Sequence, residues 1–188
     1  MVLVGVLALQ GDFREHLALL KEKFIPAIEV RSIADLQKCT CLIIPGGEST
    51  TIAKLLETSG LAKEIKKRVS KGMPFYGTCA GAILAAKKVA GEKRFRPLGL
   101  IDIEIGRNAY GRQVDSFETG LDVKGHGRLN GIFIRAPVIR KIGKEVEVLA
   151  EFEGHPVLVC EGNVLVGTFH PETEKNFFMH KMLLGMDM

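Results

Sequence analysis

The sequence predicts an α/β domain: a mainly parallel sheet flanked by helices, with additional antiparallel strands in the second half. Three observations predict it. Up to about Gly91, short apolar runs alternate with segments of helical periodicity, joined by connections of a few residues. That is the pattern of a parallel sheet with helices on both faces. Beyond Gly91 many runs alternate apolar and polar residues, the habit of antiparallel strands with one wet face. Finally, the 188 residues contain no repeat, low-complexity tract or linker. Residues 1–188 are therefore read as one domain, long enough for a sizeable core.

Val2 to Leu9 is the first strand, apolar at nearly every position, as a strand covered on both faces should be. Gln10-Gly11 closes it. Asp12 and Glu15 have the spacing of an N-cap and its reciprocal partner, and Phe13, Leu17, Leu20 and Phe24 form a helical stripe. Ala27 to Arg31 is a short second strand, and Ser32 with Asp35 repeats the capping pattern. Cys41 to Pro45 is the third strand and runs into Gly46-Gly47-Glu48-Ser49-Thr50, with Ser49 as the expected N-cap of a helix carrying Ile52, Leu55 and Leu56. A second helical pattern, Leu61 to Lys71, ends at Gly72. The fourth strand enters Gly77-Thr78-Cys79-Ala80-Gly81, and helical composition continues from Ala80 to about Val89. Strands are expected at Leu98 to Ile105, Phe117 to Val123, Gly131 to Ala136, Val146 to Phe152, Pro156 to Cys160 and Val164 to Phe169. A closing helix spans Thr173 to Met186, with Phe177, Phe178, Met182 and Leu183 as its apolar positions.

Composition narrows the function. A net charge of +4, with Lys and Arg spread among Glu, does not call for nucleic acid. The basic clusters at Lys63 to Arg68 and Lys87 to Arg96 read first as solvated surface. The apolar N-terminus lacks preceding basic residues and is too short to span a bilayer, so neither a signal peptide nor a membrane partner is expected, and the cytoplasm is the expected location. Cys39 and Cys41 have no second pair and no His at ligand spacing, so no metal site is expected. With Cys160 they read as small buried residues.

Cys79 is different. Strand, Gly-x-Cys-x-Gly turn and helix make a nucleophile elbow with Cys in the nucleophile's place. Small neighbours are needed because backbone passes close by, and a helix start favours the thiolate. A thiol nucleophile needs a base, and the base an orienter. Of the histidines at 16, 126, 155, 170 and 180, His170 stands where an apolar strand ends, in Phe169-His170-Pro171-Glu172. Pro171 restrains His170 to an extended conformation, which puts Glu172 on the same side, able to hold one imidazole nitrogen while the other serves Cys79. His16 and His180 read as helix surface or packing residues. Gly46-Gly47-Glu48 follows a strand at the same sheet edge as the elbow, where such folds bind ligands. It lacks the spacing of a phosphate or dinucleotide loop, so no cofactor is implied, and it reads as an oxyanion or substrate loop, not fully formed in the free chain.

With Gly77-Thr78-Cys79-Ala80-Gly81, Pro45-Gly46-Gly47-Glu48-Ser49 and Phe169-His170-Pro171-Glu172 in this order, the chain resembles class I (triad) glutamine amidotransferases, a flavodoxin-like fold. The stretches Leu9 to His16, Pro45 to Thr51, Arg107 to Glu118 and Phe133 to Pro137 are most similar to the PdxT/SNO family, glutaminase subunits of pyridoxal 5'-phosphate synthase. The resemblance implies Cys79 as nucleophile, His170 as base and Glu172 as orienter. It implies L-glutamine contacts from Gly47, Glu48, Ser49, Arg107, Ile134 and Arg135, with backbone oxyanion donors at Gly47 and Ala80. It also implies a (β/α)8-barrel synthase subunit as partner, in a large hetero-oligomer that activates the glutaminase. Three alternatives stay open at this point: another triad amidotransferase, such as the histidine-pathway glutaminase, a different Cys hydrolase of similar fold, and a regulatory or binding subunit that kept the fold without the activity.

Overall fold

The computed structural model describes residues 2–107, 116–174 and 176–186. Of the stretch Arg107 to Glu118, residues 108–115 lie outside them. The first half winds as β1 (Val4–Leu7), α1 (Phe13–Glu22), β2 (Ala27–Val30), α2 (Ile33–Lys38), β3 (Cys41–Ile44), α3 (Ser49–Thr58), α4 (Leu61–Val69), β4 (Phe75–Thr78) and α5 (Ala80–Ala85). The second half runs β5 (Ala86–Val89), β6 (Ile101–Gly106), β7 (Ser116–Val123), β8 (Gly127–Ile134), β9 (Val138–Ile142), β10 (Glu147–Phe152), β11 (His155–Glu161) and β12 (Val164–Gly167). A 3₁₀ turn (Pro171–Glu174) and α6 (Phe178–Leu184) follow.

The central sheet has the order β10-β11-β12-β4-β3-β1-β2. From β12 to β2 every pairing is parallel, while β10 and β11 extend one edge antiparallel. Of the parallel strands, β1, β3, β4 and β12 are buried along their whole length and the edge strand β2 only at Val30, and their side chains divide between two cores. Leu42, Ile44 and Phe75 face α3, α4 and α5, whereas Cys41, Ile43 and Tyr76 face α1, α6 and the β7–β8 hairpin. A strand buried on both faces has no polar side to show, which is why these runs read as continuously apolar.

Several elements depart from expectation. Ala86–Val89, expected as helix, is a strand that pairs parallel with β6. Its helix propensity is worth only tenths of a kcal/mol per residue, about what one tertiary pairing overrides. Val138–Ile142 was not anticipated; it pairs with β6, and Arg140, Lys141 and Ile142 are exposed, which breaks the alternation that marks a strand. The final helix shortens to α6, and its buried residues are Met179, His180 and Leu183 rather than Phe177, Phe178 and Met182. Asp12 makes no side-chain cap, whereas Ser32 and Asp35 do form the capping box. At α3 the cap is Glu48, not Ser49: its carboxylate accepts from the N–H groups of Thr50 and Thr51.

Phe24 lies outside the α1 stripe. The helix ends before it, Ile25 N–H donates to the Leu20 carbonyl, Phe24 N–H donates to that of Lys21, and Phe24 takes the left-handed position with φ 57°. This is a Schellman ending with a phenylalanine where glycine is usual. The side chain is 95% exposed, so it gains nothing in packing. Phe24→Gly is expected to raise stability by about 1 kcal/mol, read as a higher urea midpoint at unchanged slope.

Candidate active site

Because β1, β3, β4 and β12 are parallel, their carboxyl ends lie on one edge of the sheet. Residues Gln10 to Asp12, Gly46 to Glu48, Cys79 and His170 to Glu172 leave those four ends. Topology thus brings together segments up to about 160 residues apart at the place where such sheets bind ligands.

Cys79 caps α5 with φ 48° and ψ −100°, the strained backbone of an elbow. Gly81 is obligatory here: a Cβ would stand 2.1 Å from the Ile44 carbonyl oxygen. At Gly77 a Cβ would meet the Gly81 backbone at 2.7 Å. The elbow is tied to β12, since Cys79 N–H donates to the Gly167 carbonyl (2.9 Å) and the Thr78 hydroxyl to that of Phe169 (2.5 Å). Helix α5 has only six residues, so its dipole supports a thiolate less than a helix reaching Val89 would.

His170 is held by backbone and side chain alike. Its N–H donates to the Ile132 carbonyl of β8 at 2.7 Å, and its Nδ1 lies 2.8 Å from Glu172 Oε1. The expected pair therefore forms, but through the 3₁₀ turn at Pro171 rather than along an extended chain. Burial opposes a charged imidazole here; hydrogen bonds to Cys79 and Glu172, and their negative charge, outweigh it and push His170 up to about 10. His170 is thus an imidazolium at neutral pH. Its value lies above the ordinary 6.5, so the stability it contributes is complete below about pH 6.5 and lost as pH rises through about 10. The stability gap between the native chain and His170→Asn, measured by denaturant titration, should accordingly narrow from pH 7 to pH 10.

Asp12, His170 and Glu172 also place three ligand-type atoms within 4.8 Å of one another. A protonated Nδ1 that donates to Glu172 has no lone pair for a metal, so this geometry suits the triad.

The Gly46–Glu48 loop leans on the base. A Cβ on Gly46 would stand 2.4 Å from His170 Cε1, and Gly47 has φ 150°. The loop is moored to the segment after β1: Asp12 N–H donates to the Gly46 carbonyl (3.1 Å), and Glu48 N–H donates to Gln10 Oε1 (2.8 Å). The Glu48 N–H is therefore committed to Gln10 and not to the thiol. Ala80 begins α5, where its N–H has no acceptor within the helix.

Arg107 reaches this loop. Its guanidinium donates to Glu92 (2.5 Å), Thr50 (3.2 Å) and Glu48 (3.4 Å). Slight burial opposes charge on Glu48, but hydrogen bonds from Thr51 and Thr50 hold it at about 2. Hydrogen bonds from Arg94 and Arg107 hold the Glu92 carboxyl well below the usual range against burial. Ser49 is buried as the first residue of α3. Ile134 ends β8 two residues beyond the carbonyl that holds His170, and Arg135 follows with φ 44°. Gln10, Asp12 and Glu92 were missed by the sequence reading. For Gln10 and Asp12 the available signal was position, directly after an apolar strand at the ligand edge.

The model of the SNO glutamine amidotransferase family matches residues 6–186. The chain belongs to that family. Among its relatives in the family, a Thermus thermophilus protein named pyridoxal 5'-phosphate synthase subunit PdxT is 50% identical over 97% of this chain and 96% of its own. The Pseudothermotoga lettingae protein of the same name is 50% identical over 97% of this chain and 94% of its own. A solved structure described as a glutamine amidotransferase superposes with a TM-score of 0.93 at 50% identity, covering 96% of each chain. A chain of PurLQS from Thermotoga maritima, at 17% identity and TM-score 0.73, shares the fold. No helix among the described residues of this family member is long and apolar enough to cross a membrane.

Proposed function

We propose that this chain is the glutaminase subunit of a pyridoxal 5'-phosphate synthase and hydrolyses L-glutamine to L-glutamate and ammonia. The observation that carries it is the imidazole of His170 standing between Cys79 and Glu172, with its Nδ1 2.8 Å from Glu172 Oε1, in a chain half identical to PdxT proteins over nearly its full length.

In this reading the Cys79 thiolate attacks the side-chain amide carbonyl of glutamine, forming a C–S bond. Backbone N–H groups at Gly47 and Ala80 receive the oxyanion, each worth about 10²–10³ in rate. His170, already an imidazolium, gives its proton to the departing nitrogen as the C–N bond breaks, leaving a thioester. The now neutral imidazole takes a proton from water, whose oxygen displaces the thiolate to release glutamate. Glu172 holds the ring through both steps. Arg107, with Glu48, Ser49 and the Ile134-Arg135 backbone, receives the charged α-amino and α-carboxylate end of glutamine.

Ammonia released into water is protonated and loses its nucleophilicity, so a docked synthase subunit that receives it directly gives the reaction its purpose. We take that partner to be a (β/α)8-barrel subunit that uses ribose 5-phosphate and glyceraldehyde 3-phosphate, in a large cytoplasmic hetero-oligomer. Glutamate formation assayed with and without the synthase subunit tests the reading; inactivity in both conditions would refute it. Within it, Glu92→Gln loosens the guanidinium of Arg107 and is expected to raise KM for glutamine about tenfold, the effect of one lost charged contact, with kcat little changed in steady-state kinetics.

A further inference from the structure

Glu172 has a second set of neighbours, on the side away from Cys79. His16 of α1, His180 of α6 and Tyr76 of β4 are all 0% exposed and meet in the core between these elements. Their rings lie 5.0 to 6.2 Å apart. Polar side chains buried this deeply cost stability unless they are paired, and apolar residues would fill the same space more cheaply. His16 Nδ1 lies 2.9 Å from His180 Nε2. His16 Nε2 lies 3.8 Å from Glu172 Oε1, the oxygen that receives His170. That is longer than a hydrogen bond but within reach of an N–H dipole acting on a carboxylate.

The tautomers follow from the environment. Burial and the positive field of the neighbouring histidines lower His16 well below its ordinary value, and burial lowers His180 to about 4. Both rings are therefore neutral, and one donates to the other. If His16 Nδ1–H were the donor, the bare Nε2 lone pair of His16 would face the Glu172 carboxylate. His180 would in addition present a buried Nδ1–H with no acceptor among the described residues. If His180 Nε2–H is the donor, His16 carries its proton on Nε2, which makes no hydrogen bond but faces the carboxylate at 3.8 Å, and His180 Nδ1 is left as a bare lone pair. The second arrangement removes the repulsion and places the unbonded N–H against a carboxylate, where its dipole is stabilised. Tyr76 lies in the same cluster: burial and the Glu172 charge keep its hydroxyl neutral, and neither Tyr76 Oη nor Glu172 Oε2 makes a hydrogen bond to a described residue.

We propose that His16 is a positioning residue for Glu172, with its tautomer set by His180. The catalytic chain then runs Cys79–His170–Glu172–His16–His180 from the sheet edge into the core. His16 touches neither substrate nor thiol; it acts by orienting the carboxylate that orients the imidazolium. This rests on the glutaminase reading, but its first test does not.

Long-range ¹H–¹⁵N spectra of the full chain at neutral pH should show His16 and His180 both as neutral Nε2–H tautomers; an Nδ1–H form of either ring overturns the proposal whether or not the chain hydrolyses glutamine. In the presence of the synthase subunit, His16→Leu should lower kcat ten- to a hundredfold, the usual effect of losing an outer-shell partner, with KM unchanged. His16→Gln, whose amide can donate toward the carboxylate, should recover much of that loss. Wild-type kcat in His16→Leu, or equal losses in the Leu and Gln variants, overturns the positioning role. Should His16→Leu fail to fold, the tautomer spectra of the native chain decide the proposal by themselves. A native chain inactive on glutamine would instead refute the glutaminase reading and leave the tautomer result to decide this one.

Discussion

Cys79→Ala is expected to abolish glutamate formation from glutamine, a loss of more than about 10⁴-fold, because the thiol that forms the thioester in the proposed mechanism is gone. The fold should survive, since the backbone ties of the elbow to β12 do not involve the thiol. The same substitution has a second readout. After burial, the hydrogen bond to Cys79 is the foremost influence on His170, so without the thiol its titration should fall from about 10 toward the ordinary range, visible by NMR. His170→Asn should be nearly as damaging to turnover, because the group proposed to protonate the leaving nitrogen is lost. Glu172→Gln should be milder, about 10²-fold, since it orients the ring and does not itself react. Retained turnover in Cys79→Ala or His170→Asn would sink the assignment of the nucleophile and base.

Gly46→Ala is expected to lower kcat by about 10², the scale of a catalytic group displaced by about 1 Å. The added methyl would stand 2.4 Å from His170 Cε1 and 2.9 Å from Asp12 Oδ2, so either the imidazole or the loop must move. Both are in the site, and neither movement unfolds the sheet. Activity should therefore fall far more than thermal stability does. Gly72→Ala offers the control: that glycine also has a positive φ, 97°, but a Cβ there would meet nothing within 4 Å. It should cost stability through backbone strain and leave turnover untouched. If Gly46→Ala retained full turnover, the close packing of loop against base would have no catalytic consequence.

How legible was all this beforehand? The elbow was readable because its constraint is local. Gly77 is set by the approach of backbone four and five residues on and Gly81 by the adjoining strand at Ile44, so they appear as a short pattern. His170 and Glu172 were readable because Pro171 marks the strand end on which they stand. Residues whose partners lie on distant segments were not. Gln10 meets Glu48, and Glu92 meets Arg107, across 38 and 15 residues. His16 and His180 meet across 164. They looked like helix surface or packing residues because helical periodicity places an isolated His equally well on either face. The strands β5 and β9 were missed for a related reason: each exists to pair with β6, and pairing is not a property of the segment itself.

The sequence by itself determined the elbow that carries Cys79, the strand end that carries His170 and Glu172, the α/β architecture and the family. These rest on steric rules of turns, prolines and strand periodicity that act over a few residues, and on short motifs in a set order. Only the tertiary structure decided the charge state of His170, the mooring of the Gly46–Glu48 loop to Gln10, the engagement of Arg107 by Glu92 and Glu48, and the buried donors behind Glu172. Those are matters of desolvation and Coulomb energy, which depend on burial and on distances between residues far apart in the chain, and such distances exist only once the sheet has brought the ends of β1, β3, β4 and β12 to one edge.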